Sequence, residues 1–207
     1  MSRQTVSDLL ATLQVGDAPN PEPCGRVVGL PTRFADADVA ALRAGFGRAE
    51  MALLDDAVRW VDAPSGTLFL EGPVGFGKTT LAAALLRRYV AARPVDAHFA
   101  STVKVLNPYA TGEADFTLLE RASLLVLDDL LYLVDGDLSA RELSRLYRLL
   151  NERWANRRPT IVTMNADRAE LERRLAPSPP GDRRIIERLC DDCIELQLVG
   201  ASRRTAK

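Results

Sequence analysis

Residues 72–80 read GPVGFGKTT. Gly72, Gly75 and Gly77 stand within six positions, directly ahead of Lys78, Thr79 and Thr80. The spacing fits G-x-x-x-x-G-K-[ST], with Gly72, Gly77, Lys78 and Thr79 in the fixed positions. A polyphosphate carries several negative charges in a small volume. Backbone N–H groups surround it only where side chains do not obstruct and φ is unrestricted, which glycine provides. Pro73, Phe76 and Thr80 complete the wrapping segment. Lys78 is placed to bring a full charge to the β- and γ-phosphates, and the Thr79 hydroxyl to ligate Mg2+. A helix predicted after the loop adds its N-terminal donors and the positive end of its dipole.

A second constellation lies some fifty residues on. LLVLDD (124–129) ends an apolar run in Asp128 and Asp129. At the carboxyl end of a parallel strand, such acids lie beside the phosphate loop. Asp128 is expected to hold Mg2+ through water, and Asp129 to polarise an attacking water. A third element, TIVTMN (160–165), ends in Asn165. Its amide is placed to orient that water or touch the γ-phosphate, although an Asn after a strand is by itself a turn residue.

These residues need strands and helices to hold them. TLFLE (67–71), VDAHFAS (95–101), LLVLDD, TIVTMN and IELQLV (194–199) read as strands. Helical patterns run over 36–62, 81–93 and 139–158, the last opened by a Ser139/Glu142 capping box. Alternating strands and helices imply a mostly parallel sheet covered on both faces, an α/β fold. Ahead of this core, Val6, Leu9, Leu10 and Leu13 form a short amphipathic helix, followed by the Pro- and Gly-rich GDAPNPEPCG. We therefore expect a helix over 1–15, a linker over 16–29 and one catalytic domain over 30–207. The tethered helix either folds back on the domain or docks on a partner.

The chain has 207 residues, 27 Lys and Arg against 28 Asp and Glu, and 47% hydrophobic residues. That is ordinary for a globular domain and shows no global basic field. No apolar run is long enough to cross a bilayer and no secretory leader is evident, so a cytoplasmic, membrane-free protein is expected. Cys24, Cys190 and Cys193 do not form a secreted disulfide framework. Cys190 and Cys193 make a C-x-x-C that is either half a zinc site, with only Cys24 and His98 left to complete it, a redox pair, or two packed small residues at a helix–strand junction. Arg141, Arg145, Arg148, Arg153, Arg157 and Arg158 recur along one helix and its exit. Such a run is usually a solvated face, so direct contact with DNA draws little support from it.

The succession GPVGFGKTTLAAAL, LLVLDD, ELSRLYRLLNERWANRRPTIVTMN, RIIERL and VGASRR resembles the DnaC/IstB type of AAA+ ATPase, which includes bacterial replicative-helicase loaders and transposition helpers. The likeness spans about residues 30–204. It implies a P-loop NTPase three-layer sandwich on a five-stranded parallel sheet of order 5-1-4-3-2, without a C-terminal helical lid. It also implies ATP-dependent homo-oligomers with ATP between subunits. In the family's pattern an arginine in the segment GDRRIIERLCDD reaches the neighbour's γ-phosphate; Arg188 matches best and Arg184 is second. Arg203 matches the basic second sensor. Thr32, Arg33 and Phe34, by their position before the core, suggest a wrap around adenine. The pattern departs at Leu131, where the family has Gly, and the segment 102–123, which grips single-stranded DNA in relatives, is short. The resemblance implies an ATPase, slow without its partner, that delivers or remodels a replicative helicase. The alternatives are a helper that acts with a transposase on DNA and a nucleotide-gated adaptor that hydrolyses little.

Overall fold

The structure, a computed structural model, describes residues 25–130, 138–175 and 183–198. The amphipathic segment near the N-terminus, Cys24, Leu131, Arg203 and the region of the expected missing lid lie outside them. Strands are β1 (Val27–Val28), β2 (Thr67–Glu71), β3 (Ala97–Ser101), β4 (Leu125–Leu130), β5 (Thr160–Met164) and β6 (Cys193–Gln197). Helices are α1 (Val39–Gly45), α2 (Arg48–Asp62), α3 (Lys78–Ala91), α4 (Thr102–Leu106), α5 (Glu113–Arg121), α6 (Ala140–Ala155), α7 (Arg168–Leu175) and α8 (Arg183–Cys190).

All strand pairs are parallel, in the order β1-β3-β4-β5-β2-β6. Numbered as the five expected strands, β2 to β6 run 5-1-4-3-2. The sheet has six strands rather than five, because Val27 and Val28 pair with Ala97 and His98 at its edge. These two valines fall in the stretch assigned to the linker. An Arg26–Asp96 ion pair at 2.8 Å pins them, and Gly29 then turns away at φ 79° beneath the Phe99 carbonyl.

Side-chain alternation builds the three layers. Leu68, Leu70, Phe99, Val126 and Ile161 face one side and pack with Leu54, Trp60, Val61, Leu81, Leu85 and Leu86 from α2 and α3. Phe69, Leu125, Leu127, Val162 and Met164 face the other, against Phe116, Leu119, Leu146, Leu150, Leu171, Ile185 and Leu189 from α5 to α8. The single helix expected over 36–62 is two. The break falls at Phe46 and Gly47, where both residues are extended and Glu50 accepts the Gly47 N–H at 2.8 Å to start α2. The short segment after β3 folds as α4 and α5.

Because the strands are parallel, their carboxyl ends share one edge. Glu71, Ser101, Asp128 and Met164 arrive there together. Thr67, Thr160 and Cys193 begin their strands at the opposite edge.

Candidate functional site

The loop after β2 has the backbone its glycines predicted. Gly72, Gly75 and Gly77 take φ values of 140°, 92° and 87°, where L side chains are strained. A Cβ on Gly72 would lie 2.5 Å from the Leu198 carbonyl oxygen. Gly77 is the N-cap of α3 and has no side chain to satisfy the helix's first donors. No acidic residue sits in that first turn, so its positive end is left for an anion. Lys78 is buried. Its Nζ donates to the carbonyls of Gly72 at 2.6 Å and Pro73 at 2.7 Å, folding the ammonium against the loop. Phe76 packs against the core, while Pro73 is exposed and Thr79 and Thr80 are half-buried.

Asp128 is buried at the end of β4. Thr163 Oγ1 donates to its Oδ1 at 2.6 Å and accepts the Asp129 N–H at 2.9 Å, so one hydroxyl ties both acids to β5. Thr102 Oγ1 donates to the Asp128 carbonyl at 3.0 Å. The β4–β5 ladder shifts register between Leu127 and Leu130. Asp129 sits there at φ 56°, a left-handed conformation that Asp tolerates better than most residues. Burial raises the Asp128 carboxyl above the ordinary carboxylate range. The Thr163 hydrogen bond opposes this, the charge of Asp129 adds to it, and the Thr79 hydroxyl and the Arg33 charge oppose it more weakly.

Thr79 and Asp128, far apart in sequence, are thus close enough to act on one another. A hydroxyl and a carboxylate close together beside a loop of backbone donors are the hard-oxygen set that Mg2+ takes. The residues fit Mg2+ with a phosphate chain. Asn165 follows β5 at the same edge and is exposed. Arg33 lies close enough to act on Asp128. It stacks on Phe34 at 4.5 Å, and the Phe34 ring leans on Phe99 of β3. Sequence reasoning placed Arg33 near a base rather than near the acid pair, and it missed Thr163 and Thr102. For Thr163 a signal existed: a hydroxyl two residues before Asn165, between Val162 and Met164.

Arg184 and Arg188 are not part of this cluster. They lie on α8, stacked on Tyr147 at 5.0 Å and Trp154 at 3.8 Å of α6. Arg188 Nε also donates to Asn151 Oδ1 at 3.2 Å. With Trp154, Arg157, Asp191 and Gly66, Arg188 lines a depression of about 690 Å³ at the amino edge of the sheet. A five-residue strand, about 15 Å, separates that edge from the loop of the same chain.

The arginines of α6 and its exit are only in part the solvated face their spacing suggested: Arg141, Arg148 and Arg157 are exposed, but Arg153 is not. Arg153 is 1% exposed and caps four acceptors: Thr160 Oγ1, and the carbonyls of Leu119, Ala122 and Pro159. Burial, then the like charge of Arg158, pushes it down to about 9. Arg145 donates to the carbonyls of Val105 and Thr111. Arg148 pairs with Glu113 and Glu120, and Arg158 donates to the Glu120 carbonyl. Among the described residues no helix is long and apolar enough to cross a membrane.

Comparison with known proteins agrees with this architecture. The model of the family described as IstB-like ATP binding protein matches residues 49–207. No curated protein matches the chain. The crystal structure of DnaI superposes with a TM-score of 0.72 at 22% identity, covering 87% of this chain and 97% of that one. The DnaC helicase loader gives 0.65 at 20% identity, with 82% and 100% covered. AMPPCP-bound DnaA from Aquifex aeolicus gives 0.61 at 16%, with 84% and 53% covered. The three structures share the P-loop α/β fold of this chain. With a phosphate loop meeting an acid pair across one sheet edge and a family model over most of its length, the chain belongs to the IstB-like ATP binding protein family.

Proposed function

We propose that the chain is an AAA+ ATPase of the helicase-loader type, which hydrolyses ATP to ADP and phosphate with Mg2+. The observation that carries this is the nearness of Thr79 in the loop to the buried Asp128, which brings the loop and the acid pair to one end of the sheet. When bound, Mg2+ would supply charge neutralisation at the β- and γ-phosphates, held by Thr79 and by Asp128 through water. Lys78 exchanges the Gly72 and Pro73 carbonyls for phosphate oxygens. The amides around Gly75 and Gly77 donate to the same chain of oxygens, beside Phe76 and Thr80. Asp129 accepts a hydrogen bond from the attacking water, and Asn165 orients it. Thr163 keeps the two acids at fixed spacing.

Arg188, with Arg184 second, serves a neighbouring subunit. Its place at the amino edge keeps it from the phosphates of its own chain, which supports a homo-oligomer with ATP between copies. Arg203 reads the same nucleotide as second sensor. Residues 1–15 dock on the client, 16–29 tether them and 30–207 form the ATPase domain. The client is a replicative helicase. A transposase client acting with duplex DNA is favoured less, because Arg145, Arg148, Arg153 and Arg158 are engaged within the fold.

Calorimetric titration of ATP with magnesium tests the site. Wild-type protein should bind, and Lys78→Ala should lose at least about 100-fold in affinity, nearly 3 kcal/mol. Unchanged affinity in Lys78→Ala sinks the assignment.

A further inference from the structure

Cys190 ends α8 and Cys193 begins β6, with only the turn Asp191–Asp192 between them. Both are thiols, both are half-buried, and both pack against the same apolar cluster under α6 and α8. Their side chains therefore lie on one side of the turn. A four-residue turn brings its end Cα atoms within about 7 Å, and a disulfide spans about 4.4–6.8 Å. Among the described residues no group of three Cys, His, Asp or Glu could hold a metal ion, which leaves the pair without a zinc set there. The turn is also anchored. Asp191 Oδ2 accepts the Trp154 indole N–H at 2.8 Å, and the Asp192 carbonyl accepts the Thr67 N–H at 2.7 Å. A Cβ on Gly66 would lie 1.8 Å from that carbonyl oxygen, so the turn has no room to shift toward β2. Asp191 and Asp192 are exposed and line the depression that also holds Arg188 and Trp154.

We propose that Cys190 and Cys193 are an oxidation site that closes a reversible disulfide across this turn, and that closure moves the seat of Arg188. The step is thiol–disulfide exchange with a low-molecular-weight disulfide. One cysteine thiolate attacks a reagent sulfur and expels one thiolate. The second cysteine then attacks the mixed disulfide and expels the other. Two electrons pass from the pair to the reagent, which leaves as two thiols carrying the two protons. Because the turn cannot yield toward β2, closure is taken up on the other side, in the Asp191–Trp154 bond. Trp154 carries Arg188 on its ring, so its movement shifts the arginine. This second half rests on the neighbour-serving role of Arg188 proposed above.

Asp191 and Asp192 stand between the cysteines in the chain and Cys193 Sγ donates to Glu195 Oε1 at 3.9 Å, so the probe is cystamine, a cationic disulfide. Native full-length protein is treated, alkylated and digested with trypsin. Both cysteines fall in one peptide, LCDDCIELQLVGASR, apart from Cys24. It should return unalkylated and lighter by two hydrogens, and dithiothreitol should reverse this. Cys24→Ser should behave alike, and Cys193→Ser should stop at a cystamine adduct. A persistent mixed disulfide in the wild type, or pairing with Cys24, overturns the site. ATP hydrolysis that rises with protein concentration should fall at least threefold on closure and stay unchanged by cystamine in Cys193→Ser. Closure without that fall overturns the link to Arg188. Absence of hydrolysis in reduced wild type is a failure of the ATPase reading instead, and leaves the peptide result standing.

Discussion

The two edges of the sheet each bury a charged side chain, and they treat it in opposite ways. At the amino edge, Arg153 spends its N–H groups on four acceptors supplied by α5, β5 and the turn before β5. No carboxylate is among those acceptors. Three carbonyl dipoles and one hydroxyl take up its donors, and it works as a strut that ends α5 and fixes the start of β5. At the carboxyl edge, Asp128 is buried beside a second acid, with the Thr163 hydroxyl rather than a cation bonded to its carboxylate. Burial of charge therefore does not mark a site by itself. A charge whose partners are used up is architecture; a charge held beside its like is a place prepared for something opposite in sign.

Breaking the closed edge should have the largest effect. Arg153→Met removes a donor from three carbonyls and a hydroxyl in the interior, of which the Pro159 carbonyl keeps only the Leu125 N–H at 3.4 Å, and should cost about 3–5 kcal/mol of unfolding free energy in urea titrations. Arg153→Lys should recover part of it. A loss under 1 kcal/mol for the methionine variant would show that the strut is dispensable and erase the contrast.

Opening the other edge should act in the reverse direction. The Asp128 carboxyl is raised above its unfolded value near 3.8, so the folded state binds the proton more tightly. The stability linked to that proton is present below the unfolded value and lost as pH rises through the raised one. Above it, the ionised carboxylate costs the fold. Asp128→Asn should therefore stabilise the nucleotide-free protein at neutral pH by on the order of 1 kcal/mol, the advantage shrinking in acid, while abolishing hydrolysis. Lower neutral-pH stability for Asp128→Asn would mean that the carboxylate is a strut too.

The smallest effect supplies an exposed reference. Asp62 and Arg88 pair at 2.8 Å between α2 and α3, each side chain close to half exposed. The Arg88 hydrogen bond holds the Asp62 carboxyl below its ordinary range. Its contribution is present above the unfolded value and lost as pH falls through the lowered one. Asp62→Asn should cost about 0.2–0.5 kcal/mol at neutral pH and nothing in strong acid. A cost as large as that of Arg153→Met would deny that burial separates the two.

Much of the carboxyl edge was legible along the chain. The glycine spacing before Lys78 encodes a backbone conformation locally, and an apolar run ending in Asp128 and Asp129 encodes a strand end. Thr163 and Arg33 were not assigned to the acid pair, because their relation to it depends on which strand neighbours which. The α6 arginines were misjudged for a related reason. Helical periodicity put Arg153 beside Leu146 and Leu150, on the stripe that faces the sheet, but charge alone argued for solvent. The carbonyls that accept its protons belong to segments more than thirty residues away as well as to Pro159. The short β1 escaped notice because two valines carry too little pattern to be read as a strand.

The linear chain by itself determined the phosphate loop, the acidic strand end, the α/β alternation and the family, since each rests on neighbours within one turn or one strand. Tertiary structure alone decided that Thr79 comes near Asp128, that Thr163 couples the two acids, that Arg153 is buried and that Arg188 stands at the far edge from its own loop. Those are relations between segments distant along the chain, and only packing on a common sheet, with its desolvation and its hydrogen-bond closure, assigns them.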